Sequence, residues 1–316
     1  MSTDGPVSVS LPRSFWITLL VAIAAALGLT VTFVANVPTP PPTSSAIATP
    51  TPSQTPTPVF PTATTTGVPA GTVLTAYTGD LSIQTAGVII DSKTITGQLR
   101  VFAKGVVIRN SVINGTVYTD SDANVGSFTI TDTTVNVGNQ PGTGIGDVNY
   151  TALRVQVTGG NRSINCFRDC TVQDSYVRGQ FRDATGTYHE SGIRMGSGST
   201  IVHNYILCDA PDVAPDAGCS ADLTGYGDFA IVQNNLIQGN YFADVASGYC
   251  SYGGSTQGKK YSAGVNGIIF RDNTWQKNSK GICGTYGPVT SFDSAAPGNV
   301  WVGNRWTDGT PILPAN

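Results

Sequence analysis

The chain has 316 residues, with 37 glycines, a charged fraction of only 12% and a formal net charge of −3. Of its 20 acidic residues a single one, Glu190, is glutamate. Glu favours helices whereas Asp favours caps and turns, so a helical bundle or coiled coil is excluded. The slightly negative balance excludes an electrostatic nucleic-acid binder, which needs a basic footprint, so no nucleic-acid partner is expected.

Residues 1–14 read as a short cytoplasmic N-terminus carrying Arg13. Residues 15–37 follow, from Phe15 to Val37, with no charged side chain. A run of this length exceeds the ~20 residues that span a bilayer core. The apolar part of a signal peptide is usually shorter, about 7–15 residues. The segment therefore reads as a transmembrane anchor contacting the membrane. Cleavage near the small residues Ala24 and Ala26 is the alternative, giving a secreted product. Positive charge lies on the N-terminal side, and no charged residue follows until Asp80. That bias places the C-terminal part outside a cell membrane crossed once.

Residues 38–70 contain ten of the 19 prolines and ten threonines. Such a segment favours extended polyproline II, builds no core, and reads as a disordered stalk. The six cysteines, Cys166, Cys170, Cys208, Cys219, Cys250 and Cys283, all come later. An even count in an exported chain points to disulfides. Proximity favours Cys166–Cys170, Cys208–Cys219 and Cys250–Cys283 among the pairings open to six cysteines.

Residues 71–316 carry a repeat: an apolar residue, any residue, Asn or Asp, then further apolar positions. It appears at Ile108-Arg109-Asn110, Ile130-Thr131-Asp132 and Val172-Gln173-Asp174. Related forms are Val202-His203-Asn204, Val232-Gln233-Asn234, Phe270-Arg271-Asp272 and Val302-Gly303-Asn304, with Ile89-Ile90-Asp91 at the start. A period near 20 with short β-branched runs predicts a parallel β-helix, a solenoid of stacked coils. Asn, Asp and Gly suit its left-handed turns, and stacked Asn side chains can form a ladder. A β-sandwich is the competing fold, but its strands need not share a fixed polar position. Later coils are longer, and the surplus predicts loops near 179–190, 208–228, 246–264 and 279–298. Trp275, Trp301 and Trp306 read as core and end-capping residues.

Several stretches carry a resemblance: Asn161-Arg162-Ser163, Cys170 to Tyr176, His189-Glu190-Ser191-Gly192-Ile193-Arg194, Gly218 to Phe229, and Phe292-Asp293 with Pro297 to Trp301. With them, residues 71–316 resemble exported right-handed parallel β-helix proteins of the pectate-lyase-like superfamily, nearest to uncharacterised secreted actinobacterial members. The resemblance implies an all-β solenoid that binds or cleaves an extracellular polysaccharide or cell-wall glycan, as a lyase or glycoside hydrolase. A non-catalytic surface module that binds glycan or a partner is the alternative. A monomer is expected.

His189, Glu190 and Arg194 are the candidate catalytic residues. This segment is similar to a His-x-Asp-Gly-Ile-Gln stretch of the superfamily, with Ser191 where the acid would stand. A glycosidase needs two carboxylates, and Glu190 with Asp183 or Asp228 would supply them. A lyase needs a base and cations for developing carboxylate charge, which His189 with Arg178, Arg182 and Arg194 would supply. Arg178, Arg182 and Asp183 are the candidate substrate-binding residues. His203 reads as structural. No cofactor is expected, but the acidic loop holding Asp209, Asp212, Asp216, Asp222 and Asp228 offers oxygen ligands of the kind calcium takes. Gly-His-Gly, Arg-x-Lys and Trp-x-Asp-His stretches of known pectin-degrading enzymes are absent, as are a Gly-x-Ser-x-Gly elbow and a phosphate loop.

Overall fold

A computed structural model describes residues 59–123 and 125–314. The expected anchor and most of the stalk lie outside these residues. Among the described residues no helix is long and apolar enough to cross a membrane. The structure is all-β, with one 3-10 turn at Ser262–Gly264 among 24 strands. All named strand pairs are parallel, and each strand pairs with one in the next turn of chain, consistent with a β-helix solenoid.

Three inward columns of apolar side chains make the core. One runs Ile90, Ile108, Ile130, Ala152, Val172, Ile201, Ile237, Phe270, each in register with the next. A second runs Ile95, Ile113, Val135, Val157, Val177, Ile206, Phe242, Trp275. The third runs Leu99, Val117, Ile145, Ile164, Ile193, Leu223. All of these residues are at most 1% exposed. Alternate side chains of a strand point to opposite faces, so one buried position per strand per coil suffices to stack the columns. Each large buried side chain contributes about 1.5–3 kcal/mol.

The repeat marks the turn between the first two columns, with a one-residue correction. The left-handed residue is Ser92, Asn110, Asp132, Arg154, Asp174, His203 and Asp272, with Gly239 and Gly303 in the same place. Register pairs Gln173 with Val202, so His203, not Asn204, is the counterpart of Asp174. Asn234 belongs to a different turn, since Gln233 pairs with Ser197. The next position is buried and polar. In early coils Ser111, Thr133 and Ser175 accept the backbone N–H one coil back. In later coils Asn204, Asn240, Asn273 and Asn304 take over. Each of the last three accepts from the preceding Asn side chain at 2.9–3.1 Å, and all four donate to a carbonyl one coil back. The anticipated ladder thus exists, but only in the long coils.

The three disulfides join Cys166–Cys170, Cys208–Cys219 and Cys250–Cys283. Trp275 is buried, and Trp301 stacks on Phe270 while its Nε1 donates to the Ile312 carbonyl. The expected loops are partly strand. Gly218–Thr224, Tyr249–Tyr252 and Gly287–Thr290 extend the third sheet, which runs back to Lys93–Val101. The stalk boundary also moves. Residues 59–70 lie against the coils: Phe60 packs on Tyr241, Gly67 N–H donates to the Arg154 carbonyl, and Val68 N–H donates to Thr134.

Candidate functional site

The third sheet carries two neighbouring concavities in the later coils. Strand Arg162–Gln173 places Arg162 in register with Ser191 of strand His189–Val202, which in turn neighbours Gly218–Thr224. These strands wall a cavity of about 430 Å³. His189, Glu190 and Arg194 all line it, together with Arg162, Asp228 and Lys259. The three candidate catalytic residues therefore share one cavity.

Their environments differ sharply. Arg194 is only 12% exposed at its side chain, donates to Asp228 Oδ1 at 2.8 Å, and lies 4.6 Å from the ring of Phe229. Burial pushes Arg194 down from the usual guanidinium range, partly offset by Asp228. Arg162 is pushed the same way, first by burial and then by the neighbouring Arg194 charge. Two half-desolvated guanidinium groups thus share the cavity with one well-placed counter-ion. Such a site favours an added anion, because desolvation strengthens Coulombic attraction and Arg matches a carboxylate's two oxygens.

His189 is exposed, and its Nε2 lies 3.1 Å from Asp216 Oδ2. With Nε2–H donating to that carboxylate, Nδ1 keeps a lone pair and can accept a proton. Glu190 is 1% exposed, and neither of its carboxylate oxygens has a hydrogen-bond partner. The nearby Gly218 amide is committed to the Tyr188 carbonyl. Burial raises the carboxyl to about 7, opposed by the nearby Gly218 and Glu190 backbone amides and assisted by Asp183 and Asp212. A β-bulge between Glu190 and Ser191 sets this residue off from the regular alternation of the strand.

The candidate substrate-binding residues stand outside the cavity lining, Asp183 just behind the wall residues Thr187 and Tyr188. Arg178 is committed to Asp209, with hydrogen bonds of 2.8 and 3.1 Å. Arg182 is exposed and its backbone amide donates to Asn139. Asp183 accepts from the amides of Thr185, Thr187 and Tyr188, which holds its carboxyl well below the usual range even though burial opposes this. None of the three lines the cavity. They follow one another in sequence near the end of one coil, whereas a solenoid site is assembled from the same position of successive coils.

The acidic loop is likewise dispersed. Asp209 pairs with Arg178, Asp216 with His189 and Asp228 with Arg194, while Asp222 is buried and accepts from the Cys208 amide. Among the described residues no three carboxylates gather within reach of one cation; the one such group joins Asp244 to two disulfide-bonded cysteines. His203, read as structural, bridges Asp174 at 2.6 Å and the Val59 carbonyl at 3.0 Å.

Sequence reasoning missed Arg162, Lys259 and a tyrosine group beside the cavity. Tyr226, Tyr249, Tyr252 and Tyr286 form a connected chain of rings with centroids 4.6–6.1 Å apart. The clue to Arg162 was its place one coil before Ser191. The coil length there differs from the repeat, so the spacing was not readable without the strand register. No family model, curated protein or solved structure matches the chain.

Proposed function

We propose that the exported domain binds an acidic extracellular polysaccharide at this cavity and cleaves it by β-elimination. The observation carrying this reading is the Arg162–Arg194 pair, held by adjacent strands beside His189 with Asp228 as counter-ion. A uronate carboxylate would be clamped by the two guanidinium groups, which also stabilise the charge that develops on it when the neighbouring C–H is ionised. His189 Nδ1 takes the C5 proton, oriented by Asp216 in the manner of other His–carboxylate pairs. The C5–H electron pair becomes the C4–C5 double bond as the C4–O bond breaks. The leaving oxygen takes a proton from the imidazolium or from water. Placement in a right-handed solenoid of the pectate-lyase-like superfamily, anchored in or released from a cell membrane, belongs to this proposal and rests on the sequence resemblance and the N-terminal segment.

A second reading, hydrolysis, is favoured by one observation: a Glu190 carboxyl held protonated towards pH 7 could serve as general acid. Its oxygens are sealed, however, which places elimination first.

The test is incubation of the full chain with uronate-containing and neutral polysaccharides, following absorbance of unsaturated products and new reducing ends. Unsaturated products from acidic polymers only, lost by ~10²-fold or more in His189→Ala with binding kept, are the expected outcome. Reducing ends without unsaturation would favour hydrolysis. Binding without any turnover would leave a glycan-binding module.

A further inference from the structure

Beside the arginine cavity lies a second one of about 580 Å³, and the two share His189, Ser220 and Tyr226 in their walls. Their chemistry is opposite. The first holds Arg162, Arg194 and Lys259. The second contains no lysine or arginine, and instead has Asp212, Asp216 and the tyrosines Tyr249, Tyr252 and Tyr286. Tyr286 is 68% exposed and stands 5.5 Å, ring to ring, from Tyr249. Exposed rings of this kind stack on the apolar face of a sugar, and the aspartates accept hydrogen bonds from hydroxyl or amide groups.

The second cavity is thus built for a sugar and against a carboxylate. A uronate placed there would face Asp212 and Asp216 with no lysine or arginine in the wall and with His189 already paired to Asp216, and like-charge contacts of that kind reject a ligand rather than hold it. The first cavity has the reverse preference. A saccharide chain passing across the shared wall at His189 meets both in succession.

Resting on the acidic-polysaccharide reading above, we infer that the ligand is a copolymer in which an acidic sugar is followed by an uncharged one, not a homopolymer of uronates. The arginine cavity takes the uronate, and the tyrosine cavity takes the neutral or N-acylated neighbour.

The experiment measures binding of the full chain to length-matched oligosaccharides by calorimetry. Hyaluronan fragments supply an alternating uronate and N-acetylhexosamine; oligogalacturonate supplies the homopolymer; a neutral cello-oligosaccharide is the third probe. The alternating ligand is expected to bind at least tenfold tighter than the homopolymer. Tyr286→Ala should weaken the alternating ligand by about tenfold. Asp212→Asn, at an exposed position, should strengthen oligogalacturonate by about fivefold and so narrow the preference for the alternating ligand. Equal or tighter binding of oligogalacturonate by the wild type, or no gain in Asp212→Asn, overturns the inference and leaves the acidic-polysaccharide reading standing. Tighter binding of the neutral oligosaccharide than of either acidic one overturns that underlying reading as well.

Discussion

At the scale of single residues, Glu190 stands out because its carboxylate is sealed without a partner. Folding raises it from 4.5 to about 7, so between these values the folded chain holds a proton that the unfolded chain has released. Stability from this group is therefore full below about pH 4.5 and is lost as pH rises through about 7. Glu190→Gln should match the wild type at pH 4.5 and exceed it at pH 8 by on the order of 2–3 kcal/mol in denaturant midpoints. A pH-independent difference would mean that the carboxylate is not desolvated. Asp222 is raised in the same direction by complete burial, and Asp222→Asn keeps an acceptor for the Cys208 amide. It should likewise raise the melting temperature at pH 7 more than at pH 4. That Glu190, His189 and Arg194 line one cavity was legible in the sequence to the extent that one glutamate among so many aspartates singled out their segment. Arg178, Arg182 and Asp183 do not line that cavity, because proximity along a coil is not proximity on a face.

At the scale of elements, the coil turn divides its work between a left-handed residue and a buried polar one. The sequence pattern found both but merged them, since Asn and Asp serve either role and a one-residue shift is invisible without register. Asn273 Oδ1 accepts from the Asn240 amide at 2.9 Å and from its side chain at 3.1 Å, while Asn273 Nδ2 donates to Ile237. Asn273→Ala removes the acceptor of the Asn240 amide and of one Asn240 side-chain N–H, and the donor to the Ile237 carbonyl and to Asn304 Oδ1, and should cost about 2–5 kcal/mol, measured by denaturant unfolding. Ser111→Ala removes a single acceptor, that of the Lys93 amide, and should cost about 1 kcal/mol. Equal costs would show that the ladder is not the stabilising element. The third sheet was the least legible part of the fold. Strands such as Gly218–Thr224 and Tyr249–Tyr252 are short, polar on their outer face and rich in Gly, Ser and Tyr, so they resemble loop. The site was obscured for the same reason.

At the scale of the whole molecule, the segment at 59–70 is a strap and not the end of a free spacer. Phe60 extends the Tyr176–Tyr205–Tyr241 ring stack, and His203 reaches the Val59 carbonyl across 144 residues. Its composition of Pro and Thr reads as linker because nothing in it announces the tyrosine column it docks on. A chain beginning at residue 71 should melt several degrees below one beginning at residue 59, and Phe60→Ala should reproduce part of the loss. Identical melting would place the strap outside the cooperative unit.

The arginine pair at the centre of the long coils is tested most directly by calorimetric titration of one uronate oligosaccharide. The ligand is added to the full chain and to an Arg162→Gln/Arg194→Gln variant, each at low and high salt. The wild type is predicted to bind saturably and to weaken with salt, and the variant to lose at least tenfold in affinity along with most of that salt dependence. Undiminished, salt-sensitive binding by the variant would contradict the assignment of the anion site to these two residues.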